Sequence, residues 1–257
     1  MKKNLFFILM TFSLWEHAAM ISLHAQPSII DQIQKAEPAI VTIKTEASGL
    51  YKTPEVAAAR DPQTGRIVAA QHLVKASVKR YAAGVIVAPS GIVVTNAHVV
   101  SNANHIHIIL ADHTETPAQI INVINNLDLA LLKINFPQPL PFVSIADSDA
   151  LELGQDVITV GNSQYLKQTI SGGRIIGLGA NRTEKGEGKK RTDLIQTTIN
   201  LYRGDSGGPL FDKAGQLNGL MTAKESSSMR CSFAIPSNKI VKYLSGYLNE
   251  TQAANSK

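Results

Sequence analysis

The sequence predicts an all-β fold of two six-stranded antiparallel β-barrels, with a short N-terminal helix and a C-terminal helix. Three observations predict it. Short β-branched runs recur from residue 39 to residue 235, separated by Gly, Pro, Asn and Asp turn signals. A polar break at Ala146-Asp147-Ser148-Asp149-Ala150, with Gly154 after it, divides those runs into two sets. The 257 residues and 44% hydrophobic content suit one barrel pair and little else.

Residues 1–25 read as an export signal. Lys2 and Lys3 form a basic start, Leu5 to Trp15 an apolar stretch, and Ala25 closes the segment. Glu16 and His17 interrupt the apolar run, which is too short for a bilayer, so no membrane span is expected once the signal is removed. The implied location is periplasmic or secreted; the alternative is a retained anchor with the chain facing outward. A helix is expected at 28–36, starting at Ser28. The N-terminal barrel is assigned to 26–147, with strands near 39–46, 83–88, 92–95, 105–110, 117–124 and 129–135. Residues 47–82 read as a surface loop inserted between strands. The C-terminal barrel and its helix take 148–249, with strands near 156–161, 167–177, 194–199, 208–212, 217–223 and 231–235. The helix starts at Ser237 and is expected to set Ile240, Val241, Leu244 and Leu248 on one face. The polar stretch 250–257 reads as a disordered tail.

Chemistry concentrates in Gly204-Asp205-Ser206-Gly207-Gly208-Pro209. Glycines around a serine let the backbone turn sharply and aim N–H groups into a cleft. In such a turn the Gly204 and Ser206 N–H groups, with Asp205 between them, would form an oxyanion hole beside a nucleophilic Ser206. Alone, a Gly-Ser-Gly cluster is more often a turn or linker. His98 follows the strand Ile92-Val93-Val94 within Thr95-Asn96-Ala97-His98, and a lone histidine there is ordinarily a core residue. Asp128 heads the apolar run Leu129 to Leu132, where an aspartate is often only a cap. It could also accept from His98 Nδ1–H and fix its tautomer. The three occur in the order His, Asp, Ser, one of the known triad orders.

With those segments, Ala36 to Ile43, Gly84 to Val100, Leu127 to Ile134, Gly172 to Ile176, Gln196 to Leu210 and Phe233 to Asn238, the chain resembles the HtrA/Deg-like branch of the trypsin-fold serine proteases. The resemblance covers most of residues 36–245. It implies that His98 is the general base, Asp128 its orienter and Ser206 the nucleophile. It implies polypeptide substrates, unfolded or misfolded, and cleavage through an acyl-enzyme. A homotrimer, as in the family, and a monomer both stay open.

Two departures stand out. The chain ends soon after Pro236-Ser237-Asn238, where the family usually continues into PDZ domains. Asp205 occupies a position where the family more often has Asn. In trypsin-like zymogens that Asp pairs with a newly cut N-terminus, and Arg66-Ile67-Val68 resembles such a cut site. The strand expected at 39–46 precedes it, which favours the loop reading.

By the same resemblance Leu201 lies at the base of the specificity pocket and Leu220 on the facing strand. Substrate backbone would add as a strand beside Gly219 to Ala223, with Gly219, Leu220 and Met221 among the contacting residues. An apolar pocket favours small or medium aliphatic residues before the cut. Plain core packing is the competing reading of both leucines.

Other features carry less. The polar stretch 181–193 reads as a solvated surface loop. His105 and His107 share a strand face but have no third ligand, so no metal is expected. No cofactor motif occurs, and the net charge of +5 is spread out rather than gathered for nucleic acid. Cys231 is the only cysteine, so no internal disulfide can form; it reads as a small buried hydrophobe. Two function classes follow: a serine endopeptidase, or a non-catalytic or conditionally active, chaperone-like binding module on the same fold.

Overall fold

A computed structural model describes residues 29–52, 58–60, 62–69, 73–162, 168–183, 190–224 and 231–254. The export-signal segment 1–25 lies outside them. Helix α1 (Ile29–Ala36) and a 3₁₀ turn (Glu37–Ala39) lead into the first barrel. Its strands are β1 (Ile40–Lys52), β4 (Leu73–Ala88), β5 (Ile92–Asn96), β6 (His105–Ile109), β7 (Glu115–Ile124) and β8 (Leu129–Ile134). They close in the order β1-β4-β5-β8-β7-β6. The second barrel holds β9 (Asp156–Gly161), β10 (Thr169–Thr183), β11 (Lys190–Thr197), β12 (Pro209–Phe211), β13 (Leu217–Lys224) and β14 (Ser232–Pro236). These close as β10-β11-β14-β13-β12-β9. Every pairing within both barrels is antiparallel.

The barrels bury β-branched and leucine side chains. Ile43, Ile86, Ile108 and Leu131 are fully enclosed in the first; Ile195, Ile199, Leu210 and Met221 fill the second. The crossover is stitched to the second barrel: Leu217 N–H donates to Ser144 O (2.9 Å), and Ala146 N–H donates to Leu217 O (2.9 Å). Ser237 Oγ, at the start of helix α3 (Ser237–Ala254), donates to Ala146 O (2.7 Å).

The stretch 47–82 is not a simple loop. β1 and β4 continue as a long hairpin arm, paired from Ile40↔Val85 out to Lys52↔Leu73. β2 (Ala58–Arg60) and β3 (Ile67–Ala69) form a small separate sheet beyond it. Past Thr45 the arm is built of Glu46, Ala47, Ser48 and Gly49 against Lys79, Val78, Ser77 and Ala76. A backbone ladder holds it without the apolar alternation that marks a half-buried strand in sequence. Ile67 pairs with Arg60 in the small sheet.

The C-terminal helix also departs from expectation. Ile240 and Leu244, four residues apart, are fully buried, whereas Val241 is 40% exposed. A step of 100° per residue turns Val241 off the buried stripe. The helix reaches Ala254, into the expected tail, through the good helix formers Glu250, Gln252, Ala253 and Ala254. No described helix is long and apolar enough to cross a membrane.

Candidate active site

His98 and Asp128 are brought together by the first barrel alone. β5 ends at Asn96, and the single helical turn α2 (Ala97–Val100) carries His98 outward. Asp128 closes the turn between β7 and β8, where Asp128 N–H donates to Asn125 O (3.3 Å). Its φ of 60° is left-handed, a conformation that Asp tolerates better than most residues. Ala97 N–H (2.9 Å) and Asn96 Nδ2 (3.2 Å) both donate to Asp128 O, locking this turn to the end of β5.

The carboxylate then faces His98 with both oxygens. His98 Nδ1 lies 2.8 Å from Asp128 Oδ2, and His98 N–H donates to Oδ1 (3.0 Å). A carboxylate at Nδ1 places the proton there and leaves Nε2 as the basic nitrogen. Asp128 is 2% exposed. Burial alone would push its carboxyl up. Hydrogen bonding to His98, the His98 charge, the Thr222 hydroxyl and the Arg191 guanidinium outweigh that, so it is held below the usual carboxylate range.

Two of those partners were not singled out in the sequence. Thr222 Oγ1, on β13, donates to Asp128 Oδ2 (2.5 Å). Arg191, on β11, places Nη2 3.6 Å from Oδ1 with its side chain only 8% exposed. The sequence reads Arg191 as one cation in a solvated run, yet the strand's alternation turns it inward. The Asp128 carboxylate therefore belongs to both barrels. No feature of the run Lys189-Lys190-Arg191 marks which cation is buried; only the register of β11 does so.

Ser206 lies on the second barrel in a turn with two left-handed glycines, Gly204 (φ 102°) and Gly207 (φ 81°). A Cβ on Gly207 would collide with Ala83 O and Thr95 Oγ1, so glycine is required there twice over. Ala83 N–H donates to Ser206 O (2.9 Å), tying the turn to the opposite barrel. Gly207 N–H donates to Met221 O (2.9 Å), and Met221 N–H donates to Gly208 O (2.8 Å). Asp205 N–H donates to Tyr202 O (3.2 Å), while Tyr202 N–H donates to Asp205 Oδ2 (2.8 Å). Among the described residues, Gly204 N–H and Ser206 N–H donate to no other backbone group. Asp205 is 2% exposed, and its Oδ1 lies so close to Gly161 that a Cβ there would collide with it.

His98, Gly204 and Ser206 line one cleft of about 1050 Å³ between the barrels. Among the described residues, no hydrogen bond joins the Ser206 hydroxyl to His98. Tyr202, Ile170 and Ser171 form the cleft wall on the second barrel.

The residues expected for specificity sit deeper. Leu201 is 4% exposed, and Leu220 and Met221 are fully buried. Gly219 and Leu220 pair with β12 on one side and β14 on the other, leaving no edge there for a substrate strand. Among the described residues the free edge of β13 starts only after Met221. Cys231 is buried, and Gln196 Nε2 donates to its sulfur (3.2 Å). Among the described residues, no three His, Cys, Asp or Glu side chains are placed to hold a metal.

Comparison with known proteins identifies the family. The family model described as Trypsin-like peptidase domain matches residues 82–220. Serine protease HTRA1A of Danio rerio is 31% identical over 231 residues, covering 87% of this chain and 43% of that protein. A probable periplasmic serine endoprotease DegP-like of Rickettsia prowazekii is 40% identical over 159 residues, covering 60% of this chain and 31% of the relative. The chain thus spans less than half the length of these two curated relatives. Among solved structures, the HtrA-type protease AlgW with decapeptide superposes with a TM-score of 0.67 at 29% identity, covering 86% of this chain and 68% of that one. The chain belongs to the trypsin-like peptidase family, with HtrA-type serine proteases as its relatives.

Proposed function

We propose that the chain is an exported serine endopeptidase that cleaves unfolded or misfolded polypeptides. The observation that carries this reading is the 2.8 Å contact from His98 Nδ1 to a buried Asp128, facing the cleft that Ser206 also lines. His98 Nε2 takes the Ser206 proton as Oγ attacks the substrate carbonyl carbon. The carbonyl oxygen becomes an oxyanion within reach of the Gly204 and Ser206 N–H groups. The peptide C–N bond breaks as His98 protonates the leaving amine, giving an acyl-enzyme. Water then adds by the same proton route and releases the acid and free Ser206.

Small or medium aliphatic residues are favoured before the cut. Leu201 and Met221, buried in the core of the second barrel, would form the apolar floor. Substrate backbone would add from Thr222 onward. The periplasmic description of the DegP-like relative supports an exported location.

A second reading rests on the absence of a His98–Ser206 hydrogen bond among the described residues. It is a conditionally active or purely binding module that closes this bond only when engaged. A fluorophosphonate probe and unfolded casein separate the two readings. Labelling and cleavage in the wild type, both lost in Ser206→Ala, establish the enzyme. Labelling in neither would overturn the endopeptidase reading and leave the binder.

A further inference from the structure

The cleft has a one-signed rim. Arg203 immediately precedes Gly204, and Arg80 lies on β4 three residues before Ala83, whose N–H holds Ser206 O. Both are exposed, both line the cleft, and they approach Ser206 from opposite barrels. Among the described residues, no carboxylate lines the cleft. The third cation there, Lys79, is already engaged with Glu46 (3.6 Å). Glu46 also faces Lys44 (3.8 Å), which in turn binds Glu115 (2.6 Å). That group balances its own charge, so Arg80 and Arg203 remain as the cations with no carboxylate partner among the described residues.

Two exposed guanidiniums on a concave surface attract carboxylates and repel lysine-rich chains. Three residues of extended chain span roughly 10 Å, comparable to the screening length near 0.1 M salt. We infer that the cleft selects polypeptides carrying Asp or Glu within about three residues of the cut bond, with Arg80 and Arg203 as the recognising side chains. This rests on the endopeptidase reading for the word "cut", but the binding preference stands apart from the chemistry.

The test therefore uses Ser206→Ala, which cannot turn over. Fluorescent peptides share one aliphatic core and carry Asp, Asn or Lys at the flanking positions. At low salt the Asp peptides should bind about three- to tenfold more tightly than the Asn peptides, as one or two solvated ion pairs allow. The Lys peptides should bind more weakly than either. The advantage should fade in roughly 0.5 M salt, where the screening length is only a few ångströms. In the Ser206→Ala background, Arg80→Gln with Arg203→Gln should bring the Asp-to-Asn ratio close to one. Equal binding of the three peptides, no measurable binding, or a preference that survives the double substitution would each overturn the inference. Fluorophosphonate labelling of the wild type is read in parallel. Labelling without acidic preference sinks only this inference; acidic preference without labelling sinks only the enzyme reading.

Discussion

Replacing Arg191 by Met removes a buried charge behind the His98–Asp128 pair, together with the Arg191 Nη1 bond to Asn125 O (3.4 Å). At 3.6 Å from Asp128 Oδ1, with an effective dielectric of about 20, Coulomb's law gives an attraction of about 4.6 kcal/mol. Burying the guanidinium costs part of that. Asp128 also keeps its Thr222 and His98 donors in the variant. The net destabilisation should be about 2–3 kcal/mol near neutral pH, at or below the usual cost of breaking a buried pair. Urea unfolding followed by circular dichroism measures it. The pH dependence gives the stronger test. Asp128 is held below its ordinary value, so its contribution is fully present above the unfolded pKa and drains away as pH falls through the folded one. Arg191 supplies part of that depression. The gap between wild type and variant should therefore be full at about pH 7, close as pH falls below about 4, and vanish once Asp128 is protonated. A loss that does not shrink at all down to about pH 2 would mean that Arg191 acts only through packing and its bond to Asn125 O. No loss near pH 7 would mean that the pair is worth nothing, and either result refutes the electrostatic argument.

Asp128→Asn should leave the fold intact but lower kcat by about 10⁴, because the amide stabilises the wrong His98 tautomer; single-turnover acylation rates read this directly. Thr222→Val should cost about 1–2 kcal/mol of stability and slow acylation, since it removes a 2.5 Å hydroxyl donor to a buried carboxylate. Thr222→Ser should restore both, and equal behaviour of the Val and Ser variants would exclude the hydroxyl's role. Gly161→Ala should push Asp205 aside and lower fluorophosphonate labelling by about tenfold or more, the loss expected when an oxyanion donor is displaced. Unchanged labelling would uncouple Gly161 from the Gly204–Ser206 turn.

Much of this was legible in the chain because the groups concerned announce themselves locally. Most of the twelve barrel strands are apolar, β-branched-rich runs between turn residues, and both barrels close from them. His98, Asp128 and Ser206 stand in motifs whose neighbours fix the backbone around them. The structure joins His98 to Asp128 and sets Ser206 in the same cleft. What escaped depends on relations between distant segments. Arg191 is one of several cations in a polar run, and nothing nearby distinguishes it until β11 takes its register against β10. Thr222 differs from any strand threonine only by facing Asp128, 94 residues earlier. The hairpin arm beyond Thr45 is held by main-chain pairing, which leaves little trace in side-chain pattern. Gly219 and Leu220, the start of the expected substrate edge, are paired on both sides; a sequence shows that a strand exists without showing which of its sides is taken.

The bond from Ala83 N–H to Ser206 O has a consequence for the chain's own synthesis. His98 and Asp128 both come from the N-terminal barrel, which precedes the serine turn in the chain. The serine turn emerges later and finds its anchor in a segment made long before it. Contacts of such separation form late, because the closure entropy must be met before they contribute. Under the proposed activity, the growing chain carries a base without a nucleophile, and then a nucleophile without its seat, until the two halves dock. A peptidase assembled this way is harmless to itself and to its neighbours for as long as it is incomplete.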